Sequence, residues 1–234
     1  MAASILISLN HKSYLREPES TELGRKIIAE SIKMIDNLGF ENFTFKKLAA
    51  KIGSTEASVY RYFENKHKLL VYLVSWYWAW VKYTITFHTH NIQDPCERLC
   101  RAIEVLTQAG QDEDPSIAYI DERILHRIVV SESSKVYHTK EVDEENKAGY
   151  FLEIKSVCSF LAKMVQDAAP EYPYPHALIS TVMEATLQQI YFAKHLPTLT
   201  DIKKKEQAVE ETLPFLKHLV FSAIEGNLMK IKAE

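Results

Sequence analysis

Between Thr21 and Phe63 apolar residues return every three or four positions, and the pattern breaks only at glycines and hydroxyl-bearing residues. That punctuation confines the stretch to short helices joined by tight links. Leu23, Ile27, Ile28, Ser31, Ile32 and Ile35 line one face of a first helix, which Gly39 stops. Thr44 is placed to accept the free N–H groups of a second helix, whose apolar face is Phe45, Leu48, Ala49 and Ile52, and Gly53 closes it. Thr55, or Ser54 beside it, caps a third helix running through Phe63, and Asn65 caps a fourth from Lys66 toward His90. No segment keeps a two-residue alternation between turn signals, so no strand is expected and the fold class is all-α.

Further helices are predicted at 95–110, 115–132, 147–168, 175–195 and 205–226, with Pro115, Pro170, Pro173, Pro175 and Pro197 between them. Pro214 lies inside the last, so that helix either begins near Thr212 or bends. Residues 133–147 read as a solvated loop or helix start, and 1–18 as an arm or fraying turn. With 47% apolar and 25% charged residues among 234, the chain is neither low-complexity nor wholly disordered. No window holds eighteen uncharged apolar residues and the opening has no basic region, so neither a membrane span nor a signal peptide is expected and the expected location is cytoplasmic. Cys96, Cys100 and Cys158 read as buried thiols.

Net charge is −3, but residues 44–70 carry Lys46, Lys47, Lys51, Arg61, Lys66 and Lys68 against Glu56 and Glu64. A weakly basic N-terminal unit on an acidic body is compatible with a polyanion at one end. The second and third helices have the spacing of a helix-turn-helix, in which the second member lies in the DNA major groove. At 100° per residue Val59 and Phe63 face inward, while Ala57, Ser58, Arg61 and Tyr62 face outward. Ala57 and Ser58 permit close approach to base edges, and Arg61 offers a guanidinium that matches guanine. Thr44, Lys46, Thr55, Tyr60, Tyr62 and Lys66 are the candidate phosphate contacts, which hold register without reading sequence.

The run from Gly39 to Leu70, with Thr44, Leu48-Ala49, Gly53, the Tyr60-x-x-Phe63 pair, Lys66 and Leu69, resembles the DNA-binding domain of the tetracycline-repressor-like (TetR/AcrR) family. Ser54 departs from it, standing where the family commonly has an apolar residue. The resemblance covers about fifty residues. It implies a helix-turn-helix domain at 20–66 followed by a larger all-helical ligand-binding and dimerisation domain at 67–228. It also implies a homodimer on a palindromic double-stranded operator, often a repressor released by a small molecule. Tyr60, Tyr62 and Lys66 match phosphate-contacting positions of the family, and Ala57, Ser58 and Arg61 its variable base-facing ones.

In the fourth helix Tyr72, Trp76, Trp80, Tyr83 and Phe87 form an aromatic stripe. It is either central core or one wall of a cavity for a flat, partly apolar effector. Apolar stripes at Ile154, Cys158, Leu161, Val165 and Ala168, at Ile179, Val182, Met183, Thr186, Ile190 and Ala193, and at Leu213, Leu216, Val220 and Ile224 suit either a subunit interface or a monomer core. No phosphate-cradling loop, nucleophile elbow or metal-ligand spacing is present, so no enzyme, cofactor or metal is expected. The competing reading is an interaction or structural protein that keeps the helix-turn-helix as a scaffold.

Overall fold

The computed structural model describes residues 7, 9, 13–111 and 119–231, and the side chains among them up to residue 225. Residues 1–6, 8 and 10–12 of the expected arm, and the start of the helix expected at 115, fall outside the described residues. Eleven α-helices and no strand occur among the described residues. They are α1 (Glu22–Leu38), α2 (Phe45–Ile52), α3 (Glu56–Tyr60), α4 (Lys66–Thr89), α5 (Pro95–Gln108) and α6 (Glu122–Glu132). After these come α7 (Ser134–Tyr137), α8 (Val142–Lys147), α9 (Leu152–Ala168), α10 (Pro175–His195) and α11 (Ala208–Ile231). The all-helical fold class expected from periodicity is thus the observed one. Residues 133–147 hold two short helices, and α11 runs unbroken through Pro214.

Packing divides the chain into two units, residues 1–80 with 110–154, and residues 81–109 with 155–234. In the first, Ile27, Ile28, Ile32 and Ile35 of α1 bury one face among Phe43, Leu48, Ile52, Val59 and Phe63, all almost fully enclosed. Helix ends are satisfied locally: Thr21, Thr44 and Thr55 accept N–H groups of Gly24, Lys47 and Ser58. Lys26 Nζ donates to the Ile52 carbonyl at the end of α2, 2.9 Å away. Helix α6 braces the outer side of α1, where Arg127 grips the Asp36 carboxylate with two hydrogen bonds of 2.9 and 2.7 Å. Glu132, mostly buried, accepts the Phe40 N–H at 3.2 Å and holds the loop into α2.

Residues 13–21 are tied down, and within them 13–18 are not the loose arm or fraying turn expected of 1–18. Leu15 N–H donates to the Tyr62 carbonyl at 2.8 Å, Arg16 lies over the Tyr62 ring, and Tyr14 packs edge-on to Tyr72. Periodicity carries no signal for such a strap, because it is held by backbone and ring contacts and not by a repeating face. The strap passes so close to α1 that only glycine fits at position 24, where a Cβ would sit 2.1 Å from the Pro18 carbonyl oxygen.

In the second unit Val81 and Ile85 of α4, Leu99, Ile103 and Leu106 of α5, and Leu161 and Val165 of α9 are buried, as are Ile179, Val182, Ile190, Leu216, Val220 and Ile224 of α10 and α11. The stripes on α10 and α11 that sequence left open between core and interface therefore form this unit's core. The buried face of α9 runs through Val157, Leu161, Met164 and Val165, leaving Ile154 and Cys158 half-buried. The expectation of buried thiols is corrected as well: Cys96 is exposed and Cys100 and Cys158 are half-buried. Cys96 follows Pro95 in the first turn of α5, ahead of the buried stretch that begins at Leu99.

Replacing Gly24 with alanine adds helix propensity worth about 1 kcal/mol, yet forces the strap off α1. The expected result is a lower melting temperature and faster amide exchange across residues 13–21. A gain in stability would contradict the close approach.

Candidate nucleic-acid interface

A three-residue link fixes the relation of α2 to α3. Gly53 ends α2 in the left-handed region at φ 67°, a conformation costly for residues with a side chain. Its N–H and that of Ser54 return to carbonyls of α2, and Thr55 then caps α3. Val59 and Phe63 point into the core, so the opposite side of α3 is left to solvent. Ala57 and Arg61 are exposed there and Ser58 is half-exposed. Thr55 Oγ1 and Ser58 Oγ share a hydrogen bond of 2.9 Å, and Arg61 Nη2 donates to Ser58 Oγ at 3.3 Å. These surface bonds are weak in water and leave the guanidinium free to exchange partners.

Around this face lie Thr44, Lys46, Lys51 and Thr55, all exposed. Tyr60 leans its ring edge on Phe45, with centroids 5.0 Å apart, while remaining 46% exposed. The ring is therefore anchored by packing in a residue still open to solvent. Glu56 is the single acid of α3, placed in the first turn, where it favours the helix dipole.

Two expected contacts stand differently. Tyr62, expected to face outward, is 1% exposed and its hydroxyl shares a 2.7 Å hydrogen bond with Thr21 Oγ1. The regular helix ends at Tyr60, and Tyr62 N–H bonds to Val59 three residues back. This tighter winding stacks Tyr62 over Val59 and turns it inward, so the 100° projection fails from that point. Lys66 is half-buried; its ammonium donates to the Phe40 and Glu41 carbonyls at 3.1 and 3.0 Å and sits over the Phe40 ring. It braces the loop between α1 and α2, with one N–H left to offer.

The aromatic stripe of α4 is not one surface. Tyr72, Trp76 and Trp80 are buried, whereas Tyr83 and Phe87 are exposed and stacked on each other. Helical spacing shows which residues share a face but not what covers it. Tyr72 and Trp76 direct their polar atoms at Glu19 of the strap. A cleft of about 470 Å³ opens at the start of α4 between Asn65, His67, Lys68, Glu145 and Tyr150, and none of the five stripe residues lines it. Sequence reasoning also missed a buried pair in the first unit, the Tyr77 hydroxyl and His126 Nδ1, 2.9 Å apart. An apolar run does not reveal which of its rings carries a satisfied hydroxyl. Among the described residues no group of three or more His, Cys, Asp or Glu side chains is arranged to hold a metal ion.

A capped three-helix unit with a solvent-facing third helix, followed by a long helix into an all-helical body, defines a helix-turn-helix regulator fold. Residues 27–73 match the family model of bacterial regulatory proteins, tetR family. Over these residues the chain is similar to the bacterial regulatory proteins of the tetR family. Solved structures share the fold at low identity. AibR in complex with isovaleryl coenzyme A and operator DNA is 18% identical with a TM-score of 0.56, covering 82% of this chain and 97% of AibR. The fatty acid degradation regulator FadR from Bacillus halodurans is 13% identical with a TM-score of 0.58, covering 85% of this chain and 93% of FadR. A tetR-family regulatory protein from Rhodococcus RHA1 is 15% identical with a TM-score of 0.57, covering 86% and 97%. No curated protein matches the sequence.

Tyr62→Phe removes one hydroxyl bond to Thr21 and should cost about 1 kcal/mol of stability. The salt dependence of DNA binding should not change, because the hydroxyl faces the core. A reduced salt slope with unchanged stability would return Tyr62 to the interface.

Proposed function

We propose that the protein is a sequence-specific transcriptional regulator that acts as a homodimer on an inverted-repeat operator, represses, and is released by a small molecule. The observation that carries the reading is the exposed Ala57–Ser58–Arg61 face, held on a capped helix whose other side is locked into the core. Short side chains at the start of the face let α3 approach base edges, and Arg61 is the base reader. Thr44, Lys46, Thr55 and Tyr60 form a ring of phosphate contacts, to which Lys66 adds its remaining N–H. The functional division follows this: residues 20–66 bind DNA, and residues 67–228 carry effector and dimer functions. The tetR-family match over 27–73 supports this reading, as does the bound operator DNA in the AibR structure. The same features disfavour the scaffold reading, since a scaffold has no need to keep this face open.

The dimer surface we assign differs from the stripes first considered. On α11 Phe215 is 47% exposed, and Phe215, His218, Leu219 and Ser222 follow at helical spacing on the side away from the buried Leu216, Val220 and Ile224. On α10 Ala177, Thr181, Glu184 and Gln188 are exposed. Two such helices from each subunit form a self-complementary four-helix contact. An operator of two half-sites requires two copies of α3 about 34–36 Å apart, one turn of DNA. Tyr72 and Trp76 remain the effector-facing part of the stripe, since they head the helix that leads directly out of the DNA-binding domain.

Arg61→Ala should lose about 1–3 kcal/mol on the operator and flatten preference at one base position, while Lys46→Ala should weaken all duplexes alike and lower the salt slope by about one. Equal losses on specific and random DNA for Arg61→Ala would remove its role. Lys66→Ala should lower the melting temperature as well as affinity, because two of its hydrogen bonds are internal. In light scattering the wild type should give twice the 27.0 kDa chain mass. Phe215→Glu should yield a folded monomer with weakened operator binding; a dimer unaffected by that charge would place the interface elsewhere.

A further inference from the structure

The strap before α1 delivers a carboxylate to a set of hydrogen-bond donors. Trp76 Nε1 donates to Glu19 Oε1 at 3.1 Å, and the Tyr72 hydroxyl donates to the same oxygen at 3.3 Å. The Tyr119 hydroxyl bonds the same carboxyl group. Trp76 and Tyr72 are almost completely buried, while Glu19 is half-buried and reachable from solvent. Three neutral donors from α4 and the segment ahead of α6 thus converge on one acceptor. Arg25 of α1 is near but spends its guanidinium on the Glu19 backbone carbonyl, 2.5 Å away. Glu17 of the strap, which accepts the Tyr14 hydroxyl, is the other charge facing the group.

An indole N–H donates and never accepts, so a buried Trp76 needs an acceptor at this position whatever molecule supplies it. Apolar rings pack around the donors: Tyr14 meets Tyr72 edge-on at 5.9 Å and Phe63 does so at 5.4 Å. Burial holds the Glu19 carboxyl above the usual carboxylate range, against the donors that pull it down.

We propose that Tyr72, Trp76 and Tyr119 are a binding site for the carboxylate of a flat, apolar organic acid, that Glu19 is the site's internal occupant, and that such an acid binds by displacing the strap. The proposal rests on the reading of Tyr72 and Trp76 as effector-facing. Its consequence reaches the DNA-binding domain through residues on the page: the strap that Glu19 anchors also pairs with the Tyr62 backbone directly after α3, and Thr21 at its end holds the Tyr62 hydroxyl. Displacing the strap loosens the C-terminal side of α3.

The test uses the full chain without DNA. Phenylacetate and the neutral phenylacetamide are titrated by calorimetry, and amide exchange across residues 13–21 is followed. Phenylacetate should bind and speed exchange at Leu15, and phenylacetamide should do neither. Removing the tethered competitor with Glu19→Ala should tighten phenylacetate binding by about tenfold, since a linked carboxylate acts at an effective concentration near the millimolar range. The same variant should already show fast strap exchange without ligand. Should Glu19→Ala fail to fold, Trp76→Phe keeps the ring and deletes the N–H; it should weaken phenylacetate at least threefold. Unchanged or weaker binding in folded Glu19→Ala, equal binding of the amide, or undiminished affinity in Trp76→Phe would overturn the site. If phenylacetate opens the strap while operator affinity stays constant, the site stands and its role as the effector site falls. Loss of the DNA-binding reading alone changes none of the DNA-free readouts.

Discussion

The left-handed turn at Gly53 is the constraint on which the rest of the structure depends. It ends α2 at Ile52 and restarts the chain at Thr55, leaving no slack in the angle between α2 and α3. With that angle set, Leu48, Ile52, Val59 and Phe63 enclose each other with α1, and no element among the described residues covers the reverse side of α3. The open Ala57–Ser58–Arg61 face is the geometric consequence of burying Val59 on the five-residue α3 and Phe63 just beyond its end. The surface offered to DNA is thus set by core packing and not by the surface residues themselves.

The same economy explains how the three-helix unit is held to its surroundings. A five-residue helix makes few hydrogen bonds of its own and is stable only through its contacts. Lys26 and Thr55 satisfy the ends on either side of the turn, Lys66 ties the start of α4 to the loop before α2, and Arg127 and Glu132 of α6 clamp α1 and that loop. The Lys66, Arg127 and Glu132 contacts join the DNA-binding helices to elements outside them. A rearrangement of α4 or α6 therefore has a direct mechanical route to α3.

How much of this was legible in the sequence depended on the kind of interaction. Helices α1 to α3, their threonine caps and their glycine stops were readable because capping and periodicity act within a few residues. Tyr62 was misread because one turn of tighter winding after Tyr60 changes the angle per residue, and nothing in the local composition marks it. The strap and Glu19 were invisible because a non-repeating segment held by Tyr62, Tyr72 and Trp76 depends on contacts forty or more positions away. On α11 three of the four expected stripe residues, Leu216, Val220 and Ile224, are buried and Leu213 is half-buried, but periodicity cannot tell burial within a chain from burial between chains. Phe215, off that stripe, became informative only once Leu216, Val220 and Ile224 were seen to be enclosed.

The account's central claim is that the open face of α3 reads a specific DNA sequence. Selection of the full-length protein against fully randomised duplexes tests it most directly, with the bound pool sequenced after rounds at increasing salt. The account predicts that a single motif is enriched, organised as two inverted half-sites with centres about one helical turn apart. A bound pool that remains as random as the input, with binding that simply fades as salt rises, would contradict it.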